Sequence, residues 1–165
     1  MNKKICVIGT GRWGINHVHT LYKLGCLNGV VDSNTDILDN IKEQYKDINF
    51  FTNLNDAIEF GFDGFIVATP AETHFKIAKT IIESRNHVLV EKPITTRLDD
   101  AITLNKLAKL NKVNLMVGHV LLFHPAFKKI KALINNNILG DLQYMYSNRL
   151  NLGTIRTHEN VLWSF

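Results

Sequence analysis

The sequence predicts an α/β fold built on a doubly wound parallel sheet, with only the beginning of a second α/β domain behind it. Three observations carry that prediction. Short apolar runs alternate with amphipathic stretches from Lys4 to Gly118. The runs are apolar throughout, as in strands covered on both faces, and do not alternate with polar residues. The length, 165 residues, suits one domain plus part of another.

Each element follows from local pattern. Lys4–Ile8 is β-branched and apolar and reads as the first strand; 12–24 repeats apolar residues at helical spacing through Ile15, Val18, Leu21 and Tyr22. Gly29–Val31 is the second strand, ended by Asp32. Thr35–Tyr45 reads as a helix whose Asp36 suits the positive N-terminal end. Asn49–Phe51 is a brief third strand, and Asn53 can cap a short helix running to Phe60. Gly64–Ala68 is a fully apolar fourth strand. Glu72–Ser84 places Phe75, Ala78, Ile81 and Ile82 on one helical face. His87–Val90, the helix Leu98–Leu110 and the strand Asn114–Gly118 complete five βα units and a sixth strand, which right-handed crossovers wind into one sheet covered on both faces. The rhythm then changes. Pro125–Asn136 reads as an amphipathic helix and Leu142–Leu150 as an alternating strand, so the predicted domains are 1–119 and an incomplete 120–165.

Composition excludes several classes. Hydrophobic residues make up 45% and charged residues 21%, ordinary for a globular chain that buries its own core. The net charge is +4, but Lys76, Lys79, Lys106, Lys109, Lys128 and Lys129 are strung along helix faces without a dense basic block, which argues against nucleic acid. The longest apolar stretch, Val113–Phe123, is too short to span a bilayer, and Met-Asn-Lys-Lys leads straight into a strand without a secretory signal. A cytoplasmic location is expected, with Cys6 and Cys26 as plain thiols and no metal site.

The chemistry begins at GTGRWG, between the first strand and the first helix, where G-x-G-x-x-G has physical meaning. Gly9 permits the tight turn, Gly11 lets the backbone approach a pyrophosphate, and Gly14 lets helix and strand pack closely. Arg12 and Trp13 lie in the same loop, and the positive helix end faces the phosphates. Asp32, with Ser33 after it, ends the second strand about twenty residues on, where a carboxylate accepts both ribose hydroxyls. A 2′-phosphate would be repelled there and VVDSN offers no arginine, so NAD is favoured over NADP. A Walker loop is excluded, since no Gly-Lys-Ser/Thr follows; a methyltransferase shares the loop and the acid, but the later motifs argue against it.

Two of those motifs, VATPAETH (Val67–His74) and VEKPIT (Val90–Thr95), together with VIGTGRWG, make the chain resemble the Gfo/Idh/MocA family of sugar and polyol dehydrogenases. The resemblance implies an N-terminal Rossmann domain and a C-terminal α/β substrate domain. It implies that Ala68, Thr69, Pro70 and His74 line the cofactor edge, and that Glu91 and Lys92 bring the catalytic site to it. Lys92 also makes sense from its chemistry. Its ammonium can stabilise the negative charge that develops on an alcohol oxygen, and with a depressed pKa it can shuttle the proton. Pro93 permits a cis bond after Lys92.

The region from Gly118 is similar to the branch of that family that oxidises the C3 hydroxyl of UDP-N-acetylglucosaminuronate for surface polysaccharides. That likeness implies a substrate side comprising Arg149, Asn151 and Arg156; guanidinium groups suit a uronate or a diphosphate. His119 is a further candidate at the cleft, from the end of the sixth strand. The family continues beyond this sequence with a catalytic histidine, so the polypeptide is expected to bind NAD but to turn over little. Its expected partners are a small nucleotide-sugar substrate and, as alternatives, a second copy or a complementary C-terminal chain. A non-catalytic NAD(H)-binding module, or a dehydrogenase of inositol or another free sugar, remain the competing readings.

Overall fold

The computed structural model describes residues 3–148. The chain divides into two compact units, Met1–Gly118 and His119–Phe165. The first contains β1 (Ile5–Ile8), α1 (Gly14–Lys23), β2 (Leu27–Val31), α2 (Thr35–Gln44), β3 (Asn49–Phe51), α3 (Leu54–Phe60), β4 (Gly64–Val67), α4 (Ala71–Glu83), β5 (His87–Val90), α5 (Leu98–Asn111) and β6 (Leu115–Val117). Every strand pairing is parallel and the order is β3-β2-β1-β4-β5-β6. This is the Rossmann order, in which the winding direction reverses between β1 and β4.

Successive residues of each strand point to opposite faces, and both faces are buried. Cys6, Ile8, Phe65, Val67, Val88 and Val90 pack with Ile81, Ile82, Leu104 and Ala108 from α4 and α5. Val7, Val30 and Ile66 pack on the other side with Val18, Leu38 and Ile41 from α1 and α2. That double burial explains the uniformly apolar strands.

The helix starts have identifiable causes. Asn34 caps α2, its side-chain oxygen accepting from the N–H groups of Asp36 and Ile37; Asn53 caps α3 by accepting from Asp56 N–H at 3.0 Å. Arg12 and Trp13, predicted as helical, belong to the turn that precedes α1. The α5 helix ends at Lys112, which adopts the left-handed conformation.

The register levels the carboxyl ends. Ile8 lies opposite Val31 and Val67, Val31 opposite Phe51, Val67 opposite Val90, and Val90 opposite Val117. The ladder continues one residue into each loop. Gly9 N–H donates to Val31 O (2.8 Å), Ala68 N–H to Ile8 O (2.8 Å), Glu91 N–H to Val67 O (2.9 Å) and Gly118 N–H to Val90 O (2.8 Å). The loops that carry the predicted chemistry therefore leave the sheet side by side.

Within the second unit a 3-10 turn, Val120–Phe123, precedes α6 (Pro125–Asn135). Proline opens α6, where its missing N–H costs nothing, and His124 caps it by accepting from Ala126 N–H at 3.2 Å. The predicted strand 142–150 is corrected: residues 142–148 form no regular element, and Tyr144 and Tyr146 are more than three-quarters exposed. Alternation alone does not make a strand; its amide groups need a neighbouring edge, and no strand pairs with them among the described residues.

Candidate active site

The glycine loop is fixed by contacts that leave no room for side chains at two of its three glycines. Gly9 has φ +83°, and a Cβ there would come within 2.7 Å of Thr69 Cγ2. At Gly14 a Cβ would stand 1.9 Å from Gly9 O. Gly11 differs: nothing lies within 4 Å of a Cβ built on it, so its backbone faces open space at the crevice between β1 and β4.

Asp32 does more than end β2. Its Oδ2 accepts from both the N–H (2.9 Å) and the hydroxyl (2.7 Å) of Thr10, and its Oδ1 accepts from Asn34 N–H at 3.0 Å. Thr10 is buried, so the acid also clamps the loop. Sequence reading had missed Thr10; the available signal was a hydroxyl residue between two glycines, facing an acid at the end of the neighbouring strand. Asp32 is half-buried, while Ser33, Gly11, Arg12 and Trp13 are exposed.

Beyond β4, Ala68 and Thr69 are half-buried and Pro70 is exposed; the Thr69 and Thr73 hydroxyls are hydrogen-bonded at 2.7 Å. His74 is 1% exposed. Its Nδ1 lies 2.7 Å from Pro93 O and its Nε2 2.8 Å from Thr69 O, so both ring nitrogens are taken up in tying two loops together.

Glu91 is also turned inward, at 7% exposure. Oε1 lies 2.7 Å from His17 Nε2, Oε2 accepts Lys92 N–H at 3.2 Å, and the Trp13 side chain supplies a further hydrogen bond. Burial pushes this carboxyl upward, but the hydrogen bonds from His17, the Lys92 backbone and Trp13, with the His17 charge, hold it below the usual glutamate range. Trp13 and His17 stand one helical turn apart, at i and i+4, which is why both reach one carboxylate. His17 had escaped sequence reading because its partner lies 74 residues away. Lys92 itself is exposed and the Lys92–Pro93 peptide is cis.

His119 is exposed and begins the second unit. Arg149, Asn151 and Arg156 lie outside the described residues. Among the described residues no three His, Cys, Asp or Glu side chains gather as a metal site, and no helix is long and apolar enough to cross a membrane.

A family model described as an oxidoreductase family with an NAD-binding Rossmann fold, Gfo/Idh/MocA, matches residues 3–119. The chain belongs to this family. The matched segment is its NAD-binding domain, and the residues present fit that dinucleotide: an open backbone at Gly11, a helix N-terminus behind it, and an acid at the end of β2. Among curated relatives, the chain is 29% identical over 125 residues to UDP-N-acetylglucosamine 3-dehydrogenase of Acidithiobacillus ferrooxidans, covering 76% of this chain and 39% of that protein. Two solved structures share the fold. The WlbA dehydrogenase of Bordetella pertussis, in complex with NADH and UDP-GlcNAcA, aligns with TM-score 0.77 and 23% identity over 83% of this chain and 44% of its own. The scyllo-inositol dehydrogenase of Lactobacillus casei, with NAD(H) and scyllo-inositol, aligns with TM-score 0.79 and 19% identity over 86% of this chain and 43% of its own. The chain thus spans less than half the length of these relatives.

Proposed function

We propose that this chain carries the cofactor half and the catalytic lysine of an NAD-dependent dehydrogenase of nucleotide sugars, acting on the C3 hydroxyl of UDP-N-acetylglucosaminuronate. The observation that carries the reading is the adjacency of two loops. The glycine loop after β1 and the Glu91-Lys92-Pro93 turn after β5 leave the same sheet edge and are joined by the His17–Glu91 hydrogen bond. The nucleotide-sugar assignment is supported by the 29% identity to a UDP-sugar 3-dehydrogenase.

When bound, NAD supplies the hydride acceptor. The chain's residues do the rest. Backbone amides at Gly11 and the N-terminal end of α1 hold the diphosphate. The Asp32 carboxylate retains lone pairs beyond those given to Thr10 and Asn34, and these accept the ribose hydroxyls. That same charge repels a 2′-phosphate, giving preference for NAD over NADP. The Lys92 side chain would stand beside the alcohol oxygen: its neutral amine accepts the hydroxyl proton during oxidation, and the ammonium so formed stabilises negative charge on that oxygen and returns the proton in the reverse direction.

Calorimetric titration tests the proposal. NAD⁺ and UDP-N-acetylglucosaminuronate are expected each to give binding heat, and myo-inositol none. Heat from NAD⁺ alone would make the chain a non-catalytic binding module, heat from inositol instead of the UDP-sugar would move it to the free-polyol class, and no heat from NAD⁺ would overturn the whole reading.

A further inference from the structure

We propose that His17 is a positioning residue that, through the Glu91 carboxylate, fastens the Lys92 turn to the glycine-loop helix, so that seating the dinucleotide and placing the Lys92 amine become one event. The inference rests on the cofactor reading above. It starts from a cluster that neither phosphate binding nor proton transfer uses.

Glu91 is a carboxylate with every side accounted for. From α1 it receives His17 at Oε1, 2.7 Å away, and from the turn just before that helix the Trp13 side chain; from its own turn it receives the backbone N–H of Lys92 at Oε2, 3.2 Å away. The remaining side is closed by the backbone of Gly118, where a Cβ would come within 3.0 Å of the carboxyl carbon and both oxygens. The carboxylate therefore cannot turn without breaking a bond to α1 or to Lys92. On the far side of the turn, His74 bonds Pro93 O, so the stretch 91–93 is braced at both ends. The His74 brace runs to the loop after β4, whereas the His17 brace runs to the helix whose N-terminus faces the phosphates. The second ties the Lys92 turn directly to the helix behind the glycine loop.

Stability alone is a poor reason for such a cluster. A buried ion pair recovers little beyond its desolvation cost, and apolar replacements are often as stable. What the pair provides is geometry, since a small misplacement of a catalytic group lowers rate steeply.

The test uses the full 165-residue chain and two readouts: NADH affinity by calorimetry, and the rate at which acetic anhydride acylates Lys92, followed by peptide mass spectrometry with and without saturating NADH. In the native chain NADH should slow Lys92 acylation by about tenfold, the scale set by one hydrogen bond to a charged group. H17L should cut that protection below about twofold while changing NADH affinity by less than about threefold, because the loop amides are untouched. H17Q, which keeps an N–H donor, should restore protection; a merely space-filling role would not distinguish the two variants. Protection retained in H17L, or absent from a native chain that binds NADH, overturns the inference, as does a loss of NADH affinity in H17L equal to the loss of protection. Should H17L fail to fold, E91Q decides: its amide can accept from only one of the two linked donors, so protection should fall, and unchanged protection overturns the inference. Absence of NADH binding by the native chain is a separate result and defeats the cofactor reading itself.

Discussion

Gly11→Ala separates a phosphate cradle from an ordinary turn. The backbone at Gly11 is outside the left-handed region and a Cβ there meets nothing within 4 Å, so the folded chain accepts alanine without strain. Loss of glycine's freedom in the unfolded state then favours folding by about 0.4–1 kcal/mol. For a chain of this size that is a melting temperature unchanged or raised by about 1–4 °C. The dinucleotide meets the opposite outcome. A methyl group interposed where the backbone approaches a pyrophosphate overpacks the contact by about 1–3 kcal/mol. Converted at 1.4 kcal/mol per decade, NADH binding weakens by roughly 5- to 150-fold. Gly14→Ala is the control, because its Cβ would stand 1.9 Å from a backbone oxygen and must displace the loop; stability and affinity should fall together. Thermal unfolding and calorimetry on the two variants give the four numbers. Native NADH affinity in Gly11→Ala would refute the placement of the diphosphate.

Two further outcomes follow from other contacts. Glu91 is held below the usual glutamate range in the folded chain, so the unfolded chain binds its proton more readily; the associated stability is present above that range and is lost as pH falls through the folded value. Melting temperature should therefore drop more steeply on acidification in the native chain than in Glu91→Gln, and parallel curves would contradict this account. Asn53→Ala removes the α3 cap and should cost about 1 kcal/mol, lowering the melting temperature by about 2–4 °C with NADH affinity unaltered.

What could be read in the chain beforehand depended on range. Strands such as Gly64–Val67 and His87–Val90 declare themselves by composition, and Asn53 and the three glycines by spacing, because the forces that fix them act within a few residues. The doubly wound parallel sheet followed from the same local pattern through the handedness of the crossovers. Pairings across the fold left no such trace. Neither Thr10 nor His17 is unusual in its own window, and each acquires meaning only when folding brings Asp32 or Glu91 beside it. The partners of His74 were hidden for the same reason: the two carbonyl oxygens at its ring nitrogens belong to loops that only the fold brings together. The residues 142–148 failed in the other direction, since a pattern suited to a strand is not sufficient without an edge to join.

The double service proposed for Asp32 bears on attempts to retune coenzyme choice. Replacing that acid by a neutral or basic residue, the obvious route to accepting a phosphorylated ribose, also removes the acceptor on which the Thr10 amide and hydroxyl both depend. A redesign would have to rebuild the loop's anchor at position 10 in the same step; changed singly, the protein trades selectivity for a slackened entrance and holds neither coenzyme well.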